Sequence, residues 1–323
     1  MRLIGISLKA INMDFQTTQM RSTEQAYLPP VQAGHEATEN VLSTRRELTP
    51  KLEQFLLTRP ETPFLAMDMD VIEAKYRELR SYFPLAGVYY AVKANPAKEV
   101  ITLLAGLGSN FDVASRPELE MCLAMGIHPF RLSYGNTIKK APDIAYAFRR
   151  GIRKFAFDSE AELRKLAANA PGSAVMCRLQ TTGENAGWPL SKKFGCDLEM
   201  AAELLLMGCD LGLRPIGVAF HVGSQQTDPT QWRRPLREAA GLFHQLAGYG
   251  VMLDTVNIGG GFPVPYKNNV PRVEEYAPAI REDVNNAFGN SFLSFLLSAE
   301  IGSCGQIRQS RHTFECHGGP LDF

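Results

Sequence analysis

Polar residues follow eight successive apolar runs of the sequence, and their types suit an enzyme that handles a carbonyl group and an anion. They are Lys93, Asp112 with Ser115, Asn136, Asp158, Arg178, His221 with Ser224, the run Gly259, Gly260 and Gly261, and Glu300. A lysine amine can attack an aldehyde, and the N–H groups of successive glycines can converge on a phosphate. A buried carboxylate such as Glu300 needs a cationic partner, for example a protonated ring nitrogen. Together these groups fit a phosphorylated aldehyde cofactor, pyridoxal phosphate.

Each of these residues also has an ordinary structural explanation. Lys93 can be a solvated lysine at the end of a strand, and His221 can be a hydrogen-bonded core histidine. Arg178 can form an internal ion pair with Asp158 or Asp112, and three glycines occur in any tight turn. A hydrolase that binds a metal through Asp112, Asp158 and His221 is an alternative that the residues alone leave open.

The elements that carry these residues alternate between short β-rich runs and amphipathic stretches. We expect strands at 87–94, 110–115, 130–136, 154–159, 174–180, 215–224, 254–261 and 295–300, with a leading strand PFLAMD at 63–68. Helices are expected at 71–83, 98–107, 117–126, 141–151, 160–170, 197–211, 230–249 and 273–288. Eight βα units close a parallel barrel, whereas a doubly wound sheet usually has about five or six strands. The pattern therefore predicts a (β/α)8 TIM barrel, in which strand carboxyl ends carry the chemistry.

Composition limits the kinds of partner. Lys plus Arg and Asp plus Glu number 34 each in 323 residues, so the chain lacks the basic excess of a nucleic-acid binder or a polybasic membrane protein. No apolar run is long enough for a membrane span. The six cysteines have no C-x-x-C spacing, which favours reduced thiols and the cytoplasm. We expect a cytoplasmic enzyme with a small-molecule substrate, without nucleic-acid, membrane or metal partners.

Six segments of the sequence resemble segments of one enzyme family and occur in the same order as in that family. They are YYAVKANP (89–96), FDVAS (111–115), LSYGNTIKK (132–140), WPLSKKFG (188–195), FHVGSQ (220–225) and NIGGGFP (257–263). The chain resembles the fold-type III pyridoxal-phosphate decarboxylases of the ornithine, diaminopimelate and arginine group, and is most similar to the ornithine decarboxylase branch. The resemblance implies an alanine racemase-like barrel, a homodimer, and release of CO2 from L-ornithine or lysine. The product would be a diamine such as putrescine, in polyamine biosynthesis.

The resemblance also implies a role for each site residue. Lys93 would bond to the cofactor aldehyde, His221 would stack on its ring, and Glu300 would pair with the pyridine nitrogen. The phosphate would be held by Ser224, Gly259, Gly260, Gly261, Gly302 and Ser303, while Asp112, Glu118 and Arg178 would line the pocket. The family has arginine where this chain has Ser303, so weaker cofactor binding is expected. A racemase is disfavoured because Glu300 would keep the ring protonated.

The resemblance divides the chain into three parts. Residues 1–48 are expected to form a poorly ordered extension, 49–303 the cofactor-binding barrel, and 304–323 an irregular tail. The tail stands where the family has a β-rich domain that contacts the partner subunit and binds the substrate's distal amine. A truncated, weakly active or inactive homologue is therefore the alternative function. A zinc site in the tail, at Cys304, His312, Cys316 and His317, fits no common ligand spacing.

Overall fold

The computed structural model describes residues 49–58, 64, 66–188, 193–265 and 269–289, and the backbone of 294–299. The chain divides into two units, Met1–Arg45 and Arg46–Phe323, and every described residue belongs to the second. The expected extension at 1–48 and tail at 304–323 lie outside the described residues. Their structure stays a prediction.

Eight parallel strands close into a barrel, as the sequence predicts. The described strands are β1 (Ala86–Ala91), β2 (Asn110–Val113), β3 (Leu132–Tyr134), β4 (Lys154–Phe157), β5 (Ala174–Arg178), β6 (Ala186–Trp188), β7 (Arg214–Ala219), β8 (Ser224–Gln226), β9 (Thr255–Asn257) and β10 (Ser294–Ala299). All except β6 and β8, which form a separate two-stranded sheet, belong to the barrel. Around the barrel the order is β1, β10, β9, β7, β5, β4, β3, β2, and β1 pairs in parallel with both β10 and β2, which closes the ring. The carboxyl ends of all eight strands therefore meet at one mouth.

Helices surround this barrel and connect its strands. In the described part of the chain they are α1 (Pro50–Leu57), α2 (Met69–Tyr82), α3 (Lys98–Gly106), α4 (Arg116–Ala124), α5 (Ala141–Arg149), α6 (Glu160–Asn169), α7 (Leu198–Asp210), α8 (Arg233–Ala247) and α9 (Val273–Phe288). Side chains that accept backbone N–H groups start several of them: Ser159 caps α6 and Asp197 caps α7. None of the described helices is long and apolar enough to cross a lipid bilayer.

The barrel wall is apolar on both sides, as its sequence runs require. Val175 and Cys177 of β5 face the helices in the main core, whereas Met176 packs inside the barrel with Tyr89 and Ile216. Side chains alternate across a strand, so Arg178 follows Cys177 on the inner side with Met176. This alternation places the last residue of β5 over the barrel mouth.

Two local predictions were incomplete or wrong. The described residues of PFLAMD, Phe64 and 66–68, form no strand; Asp68 instead accepts the N–H of Asp70 and starts α2. Periodicity also gave no sign of the antiparallel pair β6 and β8, in which Trp188 lies opposite Ser224. This pair lies beyond the ends of β5 and β7, on the side of the barrel where the polar residues collect.

Candidate functional site

Asp112 lies in β2, one residue before its end, and points its carboxylate at the backbone that follows β3. A Cβ atom at Gly135 would lie 2.2 Å from Asp112 Oδ1, so this approach requires glycine. Withdrawal of the carboxyl group from water raises the pKa of Asp112 to about 7, and the nearby negative charge of Glu118 adds to the rise. The cations Lys93 and Arg178 act in the opposite direction. Asp112 is therefore poised to gain or lose a proton near neutrality.

Glu118 is held in place by the first turn of α4. The N–H of Ala114 donates to Glu118 Oε2 at 2.7 Å, which satisfies a backbone donor just before the helix begins. A carboxylate in this position is also favoured by the helix dipole. The bond directs the negative charge of Glu118 toward Asp112, where it contributes to the raised pKa.

Lys93 lies in a 3-10 turn, Val92–Ala94, that directly follows β1. Its side chain is exposed at the barrel mouth. The charge of Lys93 lowers the pKa values of both Asp112, which lies in β2, and His221, which follows β7. The three residues, separate in sequence, therefore share one electrostatic environment.

Arg178, at the end of β5, is held between an aromatic ring and two carboxylates. Its guanidinium carbon lies 5.0 Å from the centre of the Phe194 ring. Burial lowers the pKa of Arg178, and the charges of Asp158 and Asp112 oppose that change. Asp158, the residue after β4, also accepts the N–H of Gly195 at 2.9 Å. Asp158 thus anchors the segment that carries Phe194 against the site.

His221 is a neutral ring at the mouth. Burial lowers its pKa to about 3, and the positive charges of Arg178 and Lys93 contribute. The N–H of Gly223 donates to His221 Nδ1 at 3.0 Å, so the ring proton belongs on Nε2. Thr181 donates its hydroxyl to the His221 carbonyl at 2.6 Å and fixes the backbone. A flat, uncharged imidazole results.

The glycine turn after β9 packs directly against the His221 loop. Gly259 and Gly261 have φ angles of +70° and +93°, a region that favours glycine. A Cβ at Gly261 would lie 2.1 Å from the Gly223 carbonyl oxygen. The Gly259 N–H donates to Asn257 Oδ1 at 2.9 Å, which fixes the start of the turn. Only glycines allow this close approach of the two loops.

An aromatic stack supports the glycine turn from outside. Trp232 donates its indole N–H to the carbonyl of Ile258 at 3.3 Å. Its ring stacks on Phe262, which in turn stacks on Tyr276, with centroid separations of 5.5 and 5.2 Å. Phe262 lies within NIGGGFP, but the contribution of α9 through Tyr276 depends on tertiary packing and has no local sequence signal.

The structure brings some of the predicted site residues together, and others lie outside the described residues. The structure groups Lys93, Asp112, Glu118, Arg178 and His221 electrostatically, with the glycine turn against His221. Ser224 lies in β8, half-buried. Glu300, Gly302 and Ser303 lie outside the described residues, and their assignments remain predictions. Within the described ranges no three His, Cys, Asp or Glu side chains are grouped to hold a metal ion.

Comparisons with known proteins match this barrel. The family model described as "Pyridoxal-dependent decarboxylase, pyridoxal binding domain" matches residues 69–304. A lysine/ornithine decarboxylase of Selenomonas ruminantium is 40% identical over 218 residues, which are 68% of this chain and 56% of that protein. The solved structure of SrLDC with PLP and cadaverine superposes with a TM-score of 0.73 at 34% identity, covering 80% of this chain and 66% of that chain.

Not every relative carries the name of an enzyme. Antizyme inhibitor 2 of Xenopus laevis is 33% identical over 234 residues, covering 72% of this chain and 51% of that protein. The chain thus spans about half the length of the curated relatives it matches. The range that the family model matches, 69–304, contains all eight barrel strands.

Proposed function

Because the chain belongs to the pyridoxal-dependent decarboxylase family, we propose that it releases CO2 from an amino acid with a side-chain amine, L-ornithine or L-lysine. Pyridoxal phosphate is the cofactor of this barrel. The products would be the diamines putrescine or cadaverine, which places the reaction in cytoplasmic polyamine biosynthesis. The homodimer implied by the resemblance is part of the proposal.

The mixed-charge cluster at the mouth carries this proposal. An amine (Lys93), a guanidinium (Arg178), a carboxyl group that titrates near neutrality (Asp112) and a neutral ring (His221) converge from four barrel strands. The residues present suit the cofactor, because an amine, a flat neutral ring and a glycine turn with positive φ angles at Gly259 and Gly261 lie together at the mouth. Backbone N–H groups in such a turn are typical phosphate ligands.

Each side chain has a distinct task in this proposal. When bound, pyridoxal phosphate accepts the electron pair that departing CO2 leaves on the substrate's α-carbon. Lys93 supplies the amine that bonds to the cofactor aldehyde, and the neutral His221 offers a flat face for its ring. Arg178 and Asp112 place opposite charges beside the reacting groups and orient them.

Ser224 and the glycine turn Gly259 to Gly261 would hold the phosphate, with Gly302 and Ser303. Glu300 would hold a proton on the pyridine nitrogen. Together with Lys93, these groups would fix the cofactor at its phosphate, its ring nitrogen and its aldehyde, so that the substrate bond to be broken is held in one orientation.

The test uses the full chain, pyridoxal phosphate and two labelled substrates. Visible absorbance of the lysine-bound cofactor should appear with the parent protein and be lost in Lys93→Ala, while Lys98→Ala, an exposed lysine on α3, should retain it. Labelled CO2 should be released from ornithine or lysine by the parent but not by Lys93→Ala. Visible absorbance that persists in Lys93→Ala would contradict the assignment.

A second candidate is a homologue that keeps the cofactor barrel without turnover. The match to antizyme inhibitor 2 favours it, since the same barrel occurs in a protein not named as an enzyme. This candidate predicts the visible absorbance of the parent without release of CO2 from either substrate. Clear turnover by the 323-residue chain would eliminate it.

A further inference from the structure

Two buried cysteine thiols touch outside the barrel wall. Cys177 lies on β5 facing the helices, and Cys196 lies just before α7; their sulfur atoms are 3.5 Å apart. Both are free thiols in the structure, 0% and 6% exposed. A disulfide bond needs a separation of about 2.05 Å, so the two sulfurs would have to approach by only about 1.5 Å.

Backbone hydrogen bonds on both sides of Cys196 hold the pair together. The Cys196 N–H donates to the Arg178 carbonyl at 3.0 Å, and the Gln180 N–H donates to the Cys196 carbonyl at 2.9 Å. Cys196 therefore pairs with Leu179 as a short extension of the sheet. This backbone register holds Cys196 beside the end of β5, where the two sulfur atoms meet.

The two thiols differ in their access to solvent. Cys196 lines a cavity of about 840 Å³ between the ends of β5 and β7, whereas Cys177 is fully enclosed. The hydrogen bond from the Cys177 thiol lowers the pKa of Cys196, while that contact and burial raise the pKa of Cys177. An oxidant entering the cavity meets the more acidic thiol first.

We propose that Cys177 and Cys196 are a modification site at which a peroxide forms a reversible disulfide. The Cys196 thiolate attacks the peroxide, the O–O bond breaks, and Cys196 becomes a sulfenic acid with release of water. The Cys177 sulfur then displaces hydroxide from that sulfenic acid, and the departing hydroxide takes the thiol proton as a second water. In total two thiols lose two electrons and two protons to one hydrogen peroxide, and a dithiol reductant reverses the change.

The disulfide would join the wall of the barrel to the segment that supports Arg178. That segment carries Phe194, whose ring lies over the guanidinium group, and Gly195, which donates to Asp158. A covalent bond one residue away would hold both contacts in place. The modification thus acts on the support of Arg178 without using a side chain of the mouth.

The experiment maps the bond in a Cys209→Ala chain, because Cys209 shares a tryptic peptide with Cys196. The reduced full-length protein is treated with hydrogen peroxide, alkylated, digested without reductant and analysed by mass spectrometry. We expect the peptide 166–178, which contains Cys177, to be linked to the peptide that begins at Phe194. Dithiothreitol should separate the two peptides.

Three variants serve as controls for the mapped bond. Cys177→Ala and Cys196→Ala should each abolish the linked pair, and Cys122→Ala, which removes a buried thiol on α4, should retain it. Sulfinic acid on Cys196 with unlinked Cys177, or a link from Cys196 to another cysteine, would overturn the proposal. The mapping in Cys209→Ala keeps both thiols of the pair, so its result does not depend on the folding of the other variants.

Discussion

The raised pKa of Asp112 makes a quantitative prediction about stability. The change Asp112→Asn keeps the size of the side chain but removes its ionisation. In the folded chain without cofactor the pKa is about 7, against an ordinary value of 3.8. Between these values the folded chain holds a proton that the unfolded chain releases. Stability from Asp112 is therefore complete below about pH 3.8 and is lost as the pH rises through about 7.

The magnitude follows from the size of the shift. A shift from 3.8 to about 7 corresponds to roughly 4 kcal/mol over the whole range, and about 2 kcal/mol of this is lost between pH 5.5 and pH 8. His221 acts in the opposite direction, because its pKa falls from 6.5 to about 3 in the folded chain. Its contribution is present above pH 6.5 and is lost as the pH falls toward 3, so it rises by about 1.4 kcal/mol from pH 5.5 to pH 8.

The assay is urea unfolding of the cofactor-free chain at about pH 5.5 and pH 8, at fixed ionic strength. Relative to the parent protein, Asp112→Asn should gain about 2 kcal/mol in free energy of unfolding over this interval. Asp210→Asn, which changes an exposed carboxylate on α7, should follow the parent. If Asp112→Asn lost as much stability as the parent between the two pH values, the carboxyl group would not be protonated in the fold and the reasoning would fail.

Two further substitutions test the support of the glycine turn. Gly261→Ala should abolish the visible absorbance of bound pyridoxal phosphate, because its Cβ would lie 2.1 Å from a carbonyl oxygen, whereas Gly241→Ala on α8, with open space around it, should retain the absorbance. Trp232→Ala should lower the free energy of unfolding by about 3 to 5 kcal/mol in denaturant titrations, since it empties a fully buried position. Trp188→Phe, at a 70% exposed site, should change it by less than about 0.5 kcal/mol. Equal destabilisation by the two tryptophan changes would show that the aromatic stack does not stabilise the fold.

The barrel could be predicted because its signal is local and repeated. Each strand is an apolar run long enough to be buried on both faces, and each is followed by an amphipathic stretch. The PFLAMD prediction failed because apolar residues also occur in segments that pack against the barrel without pairing with it. Phe64, for example, makes an edge-to-face contact with Phe55 of α1 at 5.6 Å. Composition alone does not separate such a segment from a strand.

Predicted strand ends extended too far wherever the site lies. The run 215–224 reads as one strand, yet β7 ends at Ala219 and His221 lies beyond it. Pairing stops there because Gly259 packs against the Phe220 carbonyl and the chain turns over the mouth. Hydrophobic periodicity reports which residues are buried but not where strand pairing stops. It therefore identifies the site residues but assigns them to strands when they lie in the loops that follow.

The sequence predicted that the charged residues lie close together, but it did not predict the contacts that hold them in place. Parallel strands gather their carboxyl ends at one mouth, so Lys93, Asp112 and Arg178 had to come close together. The bond from Gly195 to Asp158 depends on how the long connection between β5 and α7 folds back. No spacing in the sequence encodes that path, and the Phe194 ring reaches Arg178 only as a result of it.

The electrostatics of the mouth make more sense as preparation for a ligand than as a means of stabilising the fold. A partly buried Asp112 beside Glu118 lowers stability above neutral pH, and asparagine at the same position would avoid that cost. Retaining two carboxylates next to Lys93 and Arg178 keeps both signs of charge available where a charged group binds. Sites that bind or react commonly sacrifice stability in this way. A ligand that brings positive charge beside Asp112 would lower its pKa and release the proton, so binding and protonation are coupled at this carboxyl group.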